Sequence, residues 1–236
     1  KGLLPAAVGT GEHEMTQLNW SDPPSQTAFP VAKAGYAFIF ASAFATAVFA
    51  LLGIDWLAVL GLFTTGFICY FFRDPDRLVP TGEGVVVSPA DGKGIKVEPV
   101  GQTPYFEGAC TRISVFMSVF NVHVNRVPHE GTIRQVTYHP GKFFSANLDK
   151  ASTDNEHNAL LLESPTGKMV GFVQIAGLVA RRIICAVQPG DVMERGRRFG
   201  MICFGSRLDI YLPPETNIRV AVGDKVQAGC SILGKW

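Results

Sequence analysis

A chain of 236 residues is long for one domain of roughly 150 and short for two, which leaves room for one sizeable core and an appendage. With 21 Lys and Arg against 20 Asp and Glu the formal net charge is +1, so no overall field favours nucleic acid and no such partner is expected. Charged residues are only 17% of the chain, below the usual quarter, which says that part of it does not face water.

Residues 1–32 are rich in Pro, Ser, Thr and Gly and read as a flexible leader. The charge deficit lies next. Asp55 is the only charge between Lys33 and Arg73, and it separates two apolar runs, residues 34–52 and 56–72. Each run approaches the roughly 20 residues that cross a bilayer as a helix, so residues 33–73 are expected to form a membrane-associated helical hairpin. If both helices span, Lys33, Arg73 and Arg77 lie on one face, and the positive-inside rule places that face and the globular part that follows on the cytoplasmic side of the cell membrane. A hairpin dipping into one leaflet and a buried helical pair of a soluble core stay open. The apolar run starts too late, is too long and is followed too soon by a second one for a cleaved signal peptide.

From residue 74 to 236, short β-branched runs alternate with Gly and Pro turns, which predicts a mainly β domain. The polar segment 141–158 lacks strand alternation and suits a loop or one short helix. Two stretches, VQPGDVMERG from Val187 and VAVGDKVQAG from Val220, look like imperfect copies of a turn-and-strand unit. They resemble barrel-sandwich domains in architecture, so the expected fold is a barrel-sandwich-like β domain preceded by the α-helical hairpin. Five cysteines cannot all pair and none forms a C-x-x-C, so neither a disulfide framework nor a metal site is expected.

Between the two copies lies Gly205-Ser206. A small serine in a β-bulge explains it structurally, yet a serine after glycine can also attack the preceding carbonyl, because glycine leaves the approach open and tolerates the backbone angles required. Such an attack needs a base. Of five histidines, His123 lies in the alternating run SVFNVHVNRVP and is held by strand backbone, whereas His13 is in the leader and His129 and His139 sit by turn prolines and read as exposed. Asp91 in SPADGKG is first of all a turn residue, and is also a carboxylate of the kind that fixes a histidine tautomer.

The ordered set FRDPDR, SPADGKG, SVFNVHVNRVP, YHPGKF, NEHNALLLES, QIAGLVARRI and RFGMICFGSRLDIYLP resembles the phosphatidylserine decarboxylases in their short bacterial and archaeal form, across nearly all of residues 73–236. The resemblance implies a pyruvoyl-dependent, self-cleaving proenzyme that turns phosphatidylserine into phosphatidylethanolamine and CO2. Cleavage at Gly205-Ser206 then yields residues 1–205 and 206–236, Ser206 becomes the pyruvoyl group, and Asp91 and His123 form the relay with Ser206. The implied partners are the lipid substrate, the bilayer and the protein's own cleaved chains, with a higher homo-oligomer left open. Lys142, Phe143, Arg181 and Arg182 are candidate contacts to the lipid, beside a plain reading as solvated charges and core aromatics. Longer relatives carry a second histidine three places after the first and Gly-Ser-Thr or Gly-Ser-Ser, where this chain has Arg126 and Gly-Ser-Arg. The rival readings are a non-enzymatic membrane-anchored adaptor of the barrel-sandwich type and a serine hydrolase acting in trans.

Overall fold

The computed structural model describes residues 18–20 (backbone only), 30–145, 154–178, 182–203 and 205–236. Most of the leader, Arg181 and residues 146–153 of the polar segment therefore lie outside the described residues. Two helices, α1 (Tyr36–Leu51) and α2 (Asp55–Phe71), precede nearly all of the strands. The strands are β1 (Leu18–Trp20), β2 (Leu78–Pro80), β3 (Val85–Val87), β4 (Gly92–Val100), β5 (Cys110–Met117), β6 (Val124–Arg126), β7 (Gly131–His139) and β8 (His157–Glu163). They continue as β9 (Met169–Ala176), β10 (Arg182–Cys185), β11 (Val192–Met193), β12 (Arg198–Cys203), β13 (Ser206–Leu212), β14 (Asn217–Ile218), β15 (Lys225–Val226) and β16 (Ile232–Lys235).

The helices form where the two apolar runs were read, and Gly53 reverses the chain between them at φ +69°. They close on each other through Ser42 and Thr65, whose hydroxyls are 2.8 Å apart, and Gly61 lets them approach, since a Cβ there would stand 2.4 Å from Thr46 Oγ1. Most of their bulk faces outward: Phe40, Phe44, Trp56 and Phe63 are exposed. Segment Lys33–Leu51 is long and apolar enough to cross a membrane, while α2, at 17 residues, is shorter. Only the foot of the hairpin enters the β domain, where Phe71 and Phe72 are fully buried.

The β domain is built on a curled, half-barrel antiparallel sheet of eight strands in the order β11-β7-β8-β9-β13-β5-β4-β15. Smaller sheets, β10-β12-β6 and β14-β16-β3, close its sides. Val115, Leu160, Phe172, Phe199, Leu208 and Ile210 fill the main core. The central strand β13 alternates as a strand should, Leu208, Ile210 and Leu212 to one face and Arg207, Asp209 and Tyr211 to the other, yet all seven of its residues are buried. Phe106, Cys110, Val173 and Ile175 cover the second face with Tyr211.

A charge in the middle of such a strand persists only if it is paired. Arg207 donates from Nε to Asp209 Oδ1 and from one terminal nitrogen to Oδ2, both at 2.8 Å, and both side chains are fully buried. Residues two apart on a strand share a face, so the pair forms within β13 itself. Asp209→Ala is expected to strand a buried guanidinium and cost about 3–5 kcal/mol, whereas the double replacement Arg207→Met with Asp209→Leu costs much less. Denaturant unfolding of the full chain in detergent checks the difference between the two.

Candidate active site

Ser206 is the first residue of β13, paired with Met117 of β5 on one side and Ala176 of β9 on the other. Gly205 before it stands at φ +67°, and among the described residues nothing beyond its chain neighbours lies within 4 Å of where a Cβ would be. Glycine is required there for its backbone conformation rather than for space, and the junction is open to approach. The Ser206 hydroxyl is buried and donates to Met117 Sδ at 3.4 Å, a soft acceptor that binds it weakly.

Behind this hydroxyl runs a buried polar chain on the inner face of the sheet. Asn125 Nδ2 donates to the same Met117 sulfur at 3.8 Å, Gln174 Nε2 to Asn125 Oδ1 at 2.9 Å, and Asn158 Nδ2 to Gln174 Oε1 at 3.2 Å. All three amides are buried, so each depends on the next for its hydrogen bonds. The sequence reading singled out none of them. Their only signal was amide residues inside otherwise apolar strand runs.

His123 precedes β6 and is fully buried. Its backbone carbonyl accepts from Ile202 N–H at 3.4 Å, so it lies beside β12, the strand that leads into Gly205 and Ser206. The ring faces the Asn121 carbonyl through Nδ1 at 2.9 Å, which puts the proton on Nδ1 and the lone pair on Nε2; Nε2 is buried and has no hydrogen-bond partner among the described residues. Phe71 lies against the ring, with centroids 4.2 Å apart and planes 32° from parallel. Burial, aided by the nearby Arg73 guanidinium and opposed by the Asn121 bond, lowers the His123 pKa from 6.5 to about 4. At neutral pH the imidazole is therefore an uncharged base.

Asp91 is buried beside Arg77, which donates to its Oδ2 at 2.8 Å, while Oδ1 accepts from Ala228 N–H at 2.7 Å. The expected bond to His123 is not made, because the Asn121 carbonyl occupies Nδ1 and two other donors occupy the carboxylate. Arg126, at the place of the longer relatives' second histidine, is a brace: it donates to the Gly196 carbonyl at 2.9 Å and the Pro75 carbonyl at 3.1 Å, and stands 3.5 Å from Asp74.

The lipid candidates divide. Phe143 packs with Ala176, Ile202 and Ile183, at the strand ends that flank Ser206. Its loop is pinned by Asn155, which binds the Phe144 backbone at both N–H and C=O and donates to the Ala176 carbonyl at 2.7 Å. Lys142 is exposed in the same loop, its ammonium 5.8 Å from the Phe144 ring centroid. Arg182 is exposed on β10 opposite Cys203, three residues before Ser206, and Arg181 lies outside the described residues. Contrary to its reading as exposed, His129 is buried, stacked on Trp236 at 4.7 Å. Among the described residues no cluster of three or more potential ligands suits a metal ion.

A sequence profile for the family described as phosphatidylserine decarboxylase matches residues 64–234. The chain is 52% identical over 208 residues to a protein of Syntrophus aciditrophicus, covering 87% of this chain and 97% of that one. It is 47% identical over 210 residues to one of Desulfotalea psychrophila, with coverage of 89% and 98%. A protein of Nitratidesulfovibrio vulgaris is 54% identical over 191 residues, with coverage of 81% and 88%. All three bear the name phosphatidylserine decarboxylase proenzyme.

Burial also lowers the pKa of His129 and His157, so three histidines are held neutral in the folded protein. Between pH 6.5 and about 4 the unfolded chain binds a proton at His123 that the native fold refuses, so stability must fall as pH is lowered through this window, by about 3 kcal/mol for His123 alone. Unfolding midpoints measured from pH 7 to pH 4.5 should decline, and His123→Gln should flatten the decline. An unchanged slope in that variant contradicts the burial described here.

Proposed function

The chain belongs to the phosphatidylserine decarboxylase family and is an enzyme that decarboxylates phosphatidylserine, and from this premise we propose that Ser206 is its self-cleavage nucleophile and His123 the base that activates it. The adaptor reading falls with that membership. What supports the proposal is a buried serine hydroxyl held only by a soft sulfur after a left-handed glycine, together with a buried, uncharged imidazole beside the strand that leads to it, whose Nε2 has no hydrogen-bond partner among the described residues.

The chemistry follows from these groups. His123 Nε2 takes the Ser206 hydroxyl proton, Oγ attacks the Gly205 carbonyl carbon, and the carbon–nitrogen bond breaks as the nitrogen receives the proton. The product is an ester of Gly205 on the Ser206 oxygen with a free amine. Loss of the Ser206 Cα proton then expels the Gly205 carboxylate, and addition of water with loss of ammonia leaves a ketone at position 206. The same low pKa that keeps His123 neutral makes its cation a strong acid, so a proton accepted there is readily returned.

The residues around position 206 suit a pyruvoyl group: the site is buried, it starts a strand paired on both sides, and the glycine before it leaves one face open. Once formed, such a group supplies a carbonyl that binds the substrate amine and accepts the electrons released as CO2 departs. The chain's own task is then to hold and shield the head group. We assign Lys142 and Arg182 to the lipid phosphate and Phe143 to the floor beside it, with Arg181 proposed from sequence alone. The exposed apolar hairpin tethers the site to the bilayer that holds its substrate.

Asp91 is assigned to the same machinery. In the uncleaved geometry it ties Arg77 and residue 228 together, which after cleavage is a bond between the two chains. A direct bond to His123 requires the imidazole Nδ1–H to leave the Asn121 carbonyl for the carboxylate, whose oxygens keep lone pairs beside these two donors.

Denaturing mass spectrometry is the direct test. The active protein should separate into residues 206–236 with a pyruvoyl start and the remainder ending at Gly205. Ser206→Ala and His123→Ala should remain single chains without activity, and Asp91→Ala should mature at least tenfold more slowly. An active, undivided protein contradicts the proposal.

A further inference from the structure

We infer that the hairpin is part of the catalytic apparatus as well as an anchor: Phe71, the last residue of α2, is a positioning residue that holds the His123 imidazole in the plane from which it acts on Ser206. The inference rests on the assignment of His123 as the base and adds to it a residue supplied by the apolar segment.

Among the described residues the only hydrogen bond to the His123 ring is at Nδ1, so the Nε2 side of this buried ring is positioned by packing alone. The cluster at the hairpin foot also contains Phe72, Val122, Val124, Met201 and Cys203. Of its two rings it is Phe71 that lies against the imidazole, with centroids 4.2 Å apart.

Phe71 is itself held. Its ring meets that of Phe72 edge to face at 5.0 Å, and Phe72 stacks on Phe38 of α1 at 5.5 Å and 13°. Gly35 makes room for Phe72, since a Cβ there would lie 2.5 Å from its ring. A continuous row of rings, Phe38, Phe72, Phe71 and His123, therefore joins both hairpin helices to the imidazole. Around it, Tyr70 and Arg73 donate to the Phe120 carbonyl at 3.2 and 2.7 Å, gripping the loop just before His123. The hairpin thus holds this loop by hydrogen bonds and the histidine ring by stacking.

Two consequences follow. Loss of the Phe71 ring frees the imidazole to rotate, and it also admits water beside it. Hydration raises the His123 pKa toward its ordinary 6.5, because burial is the main cause of its depression. The other groups that bear on it are Arg73 after α2, whose charge lowers the pKa, and the neutral thiol of Cys203 at the end of β12. A protonated His123 cannot serve as base, so the low-pH limit of self-cleavage must rise.

The experiment is cell-free synthesis of the full chain into nanodiscs, with cleavage followed by denaturing electrophoresis from pH 4.5 to pH 8. Phe71→Leu, which keeps apolar bulk without the ring, should slow cleavage about tenfold or more and move the acid limb up by a pH unit or more. Phe71→Tyr, which keeps the ring, should restore most of the rate and the limb. The inference is overturned if Phe71→Leu cleaves at the parental rate with the parental limb, or if it slows with the limb unmoved and Phe71→Tyr does no better. His123→Gln separates the two levels. If that variant cleaves normally, the assignment of the base is what fails, and the inference built on it goes with it; if it is inert while Phe71→Leu behaves as the parent, only the inference fails.

Discussion

The structure depends on β13 being paired along both edges and covered on both faces. Ser206 to Tyr211 face β9 on one side, and Ser206 to Leu212 face β5 on the other. A backbone ladder on both edges leaves the strand no freedom in register, and the site inherits that precision because Ser206 is its first residue. Gly205 stands one residue outside β13, where the chain turns left-handed. The peptide bond proposed to react therefore lies at the boundary between a rigid strand and a turn. Residues 207–211 pair with both β5 and β9, and β15 and β16 pair with β4 and β3, so a chain starting at residue 206 would stay bound through sheet contacts away from the cut.

The segment that leaves the hairpin is the second organising element. In FRDPDR every charged residue is tied to another part of the site's surroundings, the two aspartates to the same one. Arg73 holds the Phe120 carbonyl, Asp74 and Asp76 bind Arg198, and Arg77 binds Asp91. Arg126 closes the set through the Pro75 carbonyl and Asp74. These are largely buried, multiply hydrogen-bonded pairs rather than isolated surface bridges, and their value lies in fixing geometry more than in net stability. They orient the hairpin foot, the His123 loop and the strand leading to Ser206 with respect to one another.

The proposed chemistry depends on withheld water. The fold refuses His123 a charge by burial, and apolar groups from three places gather at this end of the domain: the hairpin foot, the loop before β6, and β12. The polar chain of Asn125, Gln174 and Asn158 satisfies the inner face without bringing a formal charge near the serine. The Arg207–Asp209 pair is kept on the opposite face of β13.

The hairpin and the β class of the remainder were legible in the amino-acid sequence, which also singled out Gly205, Ser206 and His123 as candidates. Apolar run length, strand alternation and the special backbone freedom of glycine are local properties that one dimension carries. Contacts between segments far apart in the chain are not. That Asp91 answers Arg77 and residue 228 instead of the imidazole was decided by which donors the tertiary fold brought within 3 Å. In the same way, packing decided that Arg207 and His129 are buried, that Arg126 is a brace, and that Phe71 lies against His123. Sequence determined which groups were available and which local conformations each allowed. Only the fold decided their partners and their hydration, because both are set by neighbours tens of residues away.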